Sequence, residues 1–193
     1  MTTLKAEKRD MTIKAKALRR QGKVLGNIYG KDRKNSIPIQ IDTVDATRFL
    51  KEHTKGSQAI VDLGDESINV QLKDVTFEPM KHQYDNVDFQ ELVAGETVTS
   101  TAQIVLTNTD AVVGYLAHSL SEISYKAIPS ELVEKIEIDA SKVAINTSVL
   151  VGDLDIAKND KVELITPADT LILHVSEHQK GVMEATEETS EEA

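Results

Sequence analysis

Apolar residues in this chain recur at every second position in short runs, and turn residues cut the runs off before they reach helical length. Ile37, Ile39 and Ile41 alternate with Pro38 and Gln40. Ile68, Val70 and Leu72 do the same, as do Val98, Ser100, Ala102, Ile104 and Leu106. A period of two sets one side of a strand in a core and the other in water. Gly64-Asp65-Glu66, Asn108-Thr109-Asp110, Ile128-Pro129-Ser130 and Lys158-Asn159-Asp160 supply the turns between runs. A chain patterned in this way folds as sheets with few helices.

Two segments depart from that period. Residues 12–21 predict a helix, with Thr12 as N-cap, Ile13, Ala17 and Leu18 as its apolar stripe and Gly22 as its stop. Asp42 or Thr43 caps a second helix running through His53, with Val44, Phe49 and Leu50 facing inward and Gly56 ending it. Strands are expected over 4–10 (an edge), 24–29, 37–41, 58–63, 67–77 and 86–89, the proline marking 37–41 as an edge or irregular strand. Further strands near 98–106, 119–127, 134–139, 148–151, 161–166 and 170–176 predict a mostly antiparallel second domain. The fold class is mainly β with short helices (α+β). It divides into an N-terminal small β-barrel over 1–92, an acidic β domain over 93–177 and an acidic, disordered tail over 178–193. The halves show no internal repeat.

Charge divides the chain as well. The formal net charge is −10, yet residues 1–35 hold eleven Lys/Arg against three Asp/Glu, a net +8, while residues 91–193 hold six against nineteen, a net −13. Such asymmetry points to a polyanion-binding end joined to an acidic remainder. The plainer reading is a solvated basic helix, since cations at Arg19, Arg20 and Lys23 also suit a helix C-terminus. That explains one basic residue there better than three beside Lys14 and Lys16.

Catalytic chemistry finds little footing. There is no cysteine, which excludes disulfides, thiolate catalysis and Cys-ligated metals and suits a reducing cytoplasm. No phosphate-cradling glycine loop, dinucleotide fingerprint or nucleophile elbow occurs. His174 and His178 are four apart but follow a strand pattern, so they do not converge on a metal. Asp62, Asp65, Asp74 and Asp88 read as solvated turn and strand-end residues. No signal peptide or apolar run of the roughly 20 residues needed to span a bilayer is present, so neither membrane nor cofactor is expected.

The basic stretch Arg19-Arg20-Gln21-Gly22-Lys23-Val24-Leu25-Gly26-Asn27-Ile28-Tyr29-Gly30 joins cations, glycines and one aromatic, a combination that suits a phosphate backbone. Tyr29 reads either as a half-buried packing residue or as a group that stacks or hydrogen-bonds on nucleic acid. Asp88 reads either as a strand-end residue or as an acceptor for a base amino group or ribose 2′-OH.

Several of these residues also carry a resemblance. Leu18-Arg19-Arg20-Gln21-Gly22-Lys23-Val24, Asn27-Ile28-Tyr29-Gly30, Leu72-Lys73-Asp74-Val75 with Pro79, and Val87-Asp88-Phe89 follow the order and spacing of a bacterial ribosomal family. It is the 5S rRNA-binding large-subunit protein, the L-twenty-five family. Ile128-Pro129-Ser130, Ile136-Glu137-Ile138-Asp139 and Val151-Gly152-Asp153-Leu154 resemble the second domain of its longer type, called general stress protein Ctc. The resemblance implies a barrel docked on a widened minor groove of 5S rRNA, in the cytoplasm, within the large subunit. Arg9, Arg19, Arg20, Tyr29 and Asp88 match the family's RNA-contacting positions. Lys14, Lys16 and Lys23 join them on charge, and Asn86 stands where the family usually has His before Val-Asp-Phe. The loop Val112-Val113-Gly114-Tyr115 departs from the glycine pair common there. The expected partners are 5S rRNA, the large subunit and a neighbouring basic ribosomal protein met by the acidic domain, the free chain being a monomer. The rival reading is a stress-related protein-interaction module whose basic helix binds an acidic partner.

Overall fold

A computed structural model describes residues 2–30, 35–112 and 114–177. Seven strands make the first sheet: β1 (Thr2–Lys5), β2 (Glu7–Lys8), β3 (Lys23–Tyr29), β4 (Ile37–Asp42), β5 (Gln58–Asp62), β6 (Ser67–Glu78) and β7 (Gln83–Glu91). Their spatial order is β1-β5-β6-β7-β3-β4-β2. The two outermost strands are thus neighbours in the chain, separated only by Ala6. β1 runs parallel to β5, and β2 runs antiparallel to β4. Ala6 N–H donates to the Asp62 carbonyl and Arg9 N–H to the Pro38 carbonyl, both at 2.9 Å. The segment expected as an edge strand does lie at the edge, as a strap that covers both ends of the sheet at once, β1 flanking β5 and β2 flanking β4, which leaves the barrel nearly closed. Val24, Ile28, Ile39, Ile41, Val61, Leu72 and Phe89 fill the interior.

Two helices pack on this barrel. α1 (Ala15–Arg20) is shorter than its sequence suggests. Thr12 does not cap it: its N–H and hydroxyl both donate to Asp10 Oδ1, at 2.8 and 2.6 Å, in a turn that precedes the helix. Lys14 takes the N-cap position without a side-chain bond. Gly22 ends the helix as expected, with φ +79°. α2 (Thr43–Glu52) is capped by Asp42, which accepts from Val44 N–H at 3.3 Å. It buries Ala46 and Phe49, whereas Val44, expected inward, is 65% exposed. Positions 46, 49 and 50 share a helical face, and position 44 is not spaced to join them. Gly56 does not end α2, which stops at Glu52; it lies in the turn beyond.

The second unit holds β8 (Val98–Thr107), β9 (Tyr115–His118), β10 (Glu122–Ala127), β11 (Lys135–Asp139), β12 (Thr147–Leu150), β13 (Glu163–Leu164) and β14 (Leu171–Ser176). They form two sheets, ordered β11-β8-β10-β13 and β12-β14-β9, around a core that includes Ile104, Ile123, Tyr125, Ile172 and Leu173. Every pairing is antiparallel except β8 with β11. The strand expected over 161–166 contracts to two residues, and short 3₁₀ turns at Val151–Asp153 and Asp155–Lys158 fill the stretch before it. Buried Tyr125 clamps the approach to β11: its hydroxyl donates to the Val133 carbonyl at 2.8 Å and accepts from Val133 N–H at 2.7 Å.

A polar seam joins the two units. Gln71 and Ser100 are both buried there, and the Gln71 amide donates to Ser100 Oγ and, at 3.2 Å, to the Gly56 carbonyl. Lys73 Nζ donates to the Thr99 carbonyl at 2.7 Å, and Gln58 Nε2 to the Pro129 carbonyl at 2.8 Å. Gly56 itself, at φ +92°, lies so close to β8 that a Cβ would stand 2.0 Å from the Thr101 carbonyl oxygen. The acidic tail, His178 and the basic residues 31–34 lie outside the described residues.

Candidate nucleic-acid interface

Alternation along β3 sends Val24 and Ile28 into the barrel and Leu25, Asn27 and Tyr29 outward. β7 likewise sends Val87 and Phe89 inward and Asn86, Asp88 and Gln90 outward. The parallel register sets Leu25 beside Asn86, Asn27 beside Asp88 and Tyr29 beside Gln90. On the far side of β7, Asp74 and Thr76 of β6 stand opposite Asp88 and Asn86. The outer face of the barrel therefore carries a polar patch of amides, carboxylates and one phenol.

Within it, Asn27 Nδ2 donates to Asp88 Oδ1 at 3.3 Å, which holds the carboxylate by one oxygen, the other having no side-chain partner among the described residues. Asp74 is matched by Lys55 at 2.6 Å; that hydrogen bond holds its carboxyl below the usual value and raises the Lys55 ammonium. Burial first, then the charges of Asp88 and Asp74, push the Tyr29 hydroxyl above an ordinary phenol. Tyr29 is 38% exposed and keeps its proton, so it is a neutral donor at the patch.

α1 packs on β3, the strand that carries Asn27 and Tyr29, and ties Arg19 to β7. Leu18 of α1 and Leu25 of β3 are buried outside the barrel core, where the helix packs on β3. Lys14, Lys16 and Arg20 are exposed and have no ion pair among the described residues. Arg19 is oriented: its Nε donates to the Asp85 carbonyl at 3.2 Å and lies 3.7 Å from Asp85 Oδ1. The Nε of half-buried Arg9 has no hydrogen-bond partner. Lys23 is placed differently. It lies between Glu7 (3.8 Å) and Asp42 (3.7 Å), six residues and about 20 Å along β3 from Tyr29.

Sequence reasoning missed Asp85, Asn27 and the Lys55–Asp74 pair. Asn27 was legible, being two residues before Tyr29 on the same strand; Asp85 was not, because it reaches Arg19 only through the packing of α1 on β3 and the pairing of β3 with β7. Among the described residues no group of three potential metal ligands converges, and no helix is long and apolar enough to cross a membrane.

A nearly closed, barrel-like sheet with a cation-bearing helix, joined to an acidic two-sheet domain, defines a class of two-domain β protein. Comparison with known proteins places it further: the family model described as "Ribosomal L25p family" matches residues 4–89, and that described as "Ribosomal protein TL5, C-terminal domain" matches residues 97–179. Among curated relatives, the large ribosomal subunit protein bL25 of Dictyoglomus thermophilum is 31% identical over 99% of this chain and 97% of its own. That of Halothermothrix orenii is 31% identical over 98% and 88%, and that of Staphylococcus epidermidis 30% over 91% and 84%. The chain belongs to the ribosomal L25p family, a structural and non-enzymatic one.

Proposed function

We propose that this chain is a cytoplasmic structural component of the large ribosomal subunit and that it binds 5S rRNA through the barrel face. The observation that carries the reading is the fixed Asn27–Asp88 pair beside Tyr29, with the unmatched cations of α1 on the helix that packs against the same strand. Lys14, Lys16 and Arg20 meet phosphates, Arg19 presents its terminal nitrogens to one, and Arg9 completes the set. Tyr29 donates to sugar or base, Asp88 accepts from a base amino group or 2′-OH, and Asn86 adds a neutral hydrogen bond. The acidic second domain turns away from RNA and contacts a basic ribosomal protein.

The test is a gel-shift salt series on the full chain with 5S rRNA. Absence of binding, or an affinity indifferent to salt, removes the reading. Arg20→Ala is expected to weaken binding and to lower the salt slope by about one. Lys23→Ala is expected to change the slope by much less, because Glu7 and Asp42 already flank that ammonium; an equal loss would put Lys23 on a phosphate after all. Asp88→Ala should weaken binding at constant slope, since no phosphate contact is lost, and an unchanged affinity would take Asp88 out of the site.

A further inference from the structure

The second core is not closed. Leu132, Ile136, Ile138, Val149 and Val162 are only partly buried, and all five line one groove of about 760 Å³. It opens where β11, at the end of one sheet, faces β12, at the end of the other. Among the described residues β11 pairs with β8 alone. Gln103 N–H donates to the Glu134 carbonyl, so by the alternation of a parallel ladder Lys135, Glu137 and Asp139 turn their backbone groups to the open side. The wall is preformed, because the Tyr125 clamp fixes Val133 at the approach to β11.

Carboxylates dominate the rim: Glu131, Glu137, Asp139, Asp153 and Asp155 against Lys135 and Lys142. Glu131 and Asp139 hold lysines, at 3.1 and 3.3 Å. Glu137 and Asp153 have no cation within ion-pair distance among the described residues. The same excess of negative charge disfavours the chain's own Glu-rich tail as an occupant.

We propose that this groove takes an extended, basic protein segment, which adds a strand to the free edge of β11, sets alternate apolar side chains on the Ile136–Ile138 floor and turns Lys or Arg toward Glu137 and Asp153. Backbone pairing supplies affinity in such an arrangement, and alternate side chains supply selectivity. The inference rests on the protein-contact part of the function proposed above and is independent of its RNA face.

The experiment titrates isotope-labelled full chain with a synthetic peptide alternating Val and Lys, read by amide shifts. Shifts confined to β11, β12 and residues 151–158 are expected, together with about tenfold weaker binding to Glu137→Lys. About tenfold weaker binding is also expected when the peptide is N-methylated at alternate residues, a change that cannot affect the protein's folding. Equal binding of a Val–Glu peptide, of a Lys–Gly peptide of the same charge, or of Glu137→Lys would overturn the proposal. So would groove shifts that follow protein concentration without peptide, with a dimer in sedimentation, since a second copy would then be the occupant. A gel shift of Glu137→Lys with 5S rRNA should match the parent chain, so failure of the groove and failure of the RNA face remain separate results.

Discussion

A chain lacking residues 2–8 is expected to lose cooperative unfolding of its barrel. Among the described residues, the two strands they form flank β5 at one end of the sheet and β4 at the other, so their removal leaves two bare edges. The loss includes the buried Leu4 side chain, 3% exposed, whose removal from a core costs about 2–5 kcal/mol. It also includes the ladder bonds to both neighbours, each contributing about 1 kcal/mol net. The sum approaches the whole stability of a small domain, about 5–15 kcal/mol. Lys14 to Arg20 remain in the shortened chain; Lys5 and Lys8 are lost together with Glu7, a net change of one charge, and Lys8 is already matched by Asp65 at 3.5 Å. A fall in RNA affinity would therefore report a disordered face more than missing charge. Amide exchange on β3 and β7 measures it directly; native protection there in the shortened chain would refute the strap's role.

Gly56→Ala is expected to cost about 3 kcal/mol or more, which is large for one methyl group. Two penalties combine. At φ +92° an L side chain is strained, worth about 1–2 kcal/mol. The new Cβ would also meet the Thr101 carbonyl oxygen at 2.0 Å, and neither backbone can yield without opening the seam held by Gln71, Ser100 and Lys73. Gly64→Ala is the control, because Gly64 has φ +85° with nothing within 4 Å and pays only the strain. Urea denaturation should show the Gly56 variant well below the Gly64 variant, with the two units melting separately. Equal losses would mean that the close approach to β8 contributes nothing.

The strands that sequence made legible are those with one apolar and one polar side. β4, β6 and β8 alternate cleanly because a core lies under one face only. β7 was read as four residues and has nine: its first half, Gln83-Tyr84-Asp85, lacks a run of apolar positions because it leaves the core for the hairpin. β9 was missed for the same reason: no strand was expected over 115–118, where Tyr115 and His118 are exposed. Long-range pairing was beyond local pattern altogether. Nothing in Thr2–Lys8 announces that it meets β5 on one side and β4 on the other, and the parallel pairs β1–β5 and β3–β7 have no turn to signal them. The candidate site was legible as charge and as composition. It was not legible as geometry: exposure separates Lys14, Lys16 and Arg20 from Lys23, whose flanking carboxylates Glu7 and Asp42 arrive from two other strands.

Thr2 pairs with Ala59, 57 residues later in the chain, and Asn27 with Asp88, 61 residues later. At about 5–20 residues per second, synthesis takes roughly 3–12 seconds to cover either interval. The basic helix is thus displayed well before the surface that aims it exists. On the RNA-binding reading proposed above, a nascent or truncated chain would hold RNA by charge alone, without register, until completion of β7 gave the bound state a defined address.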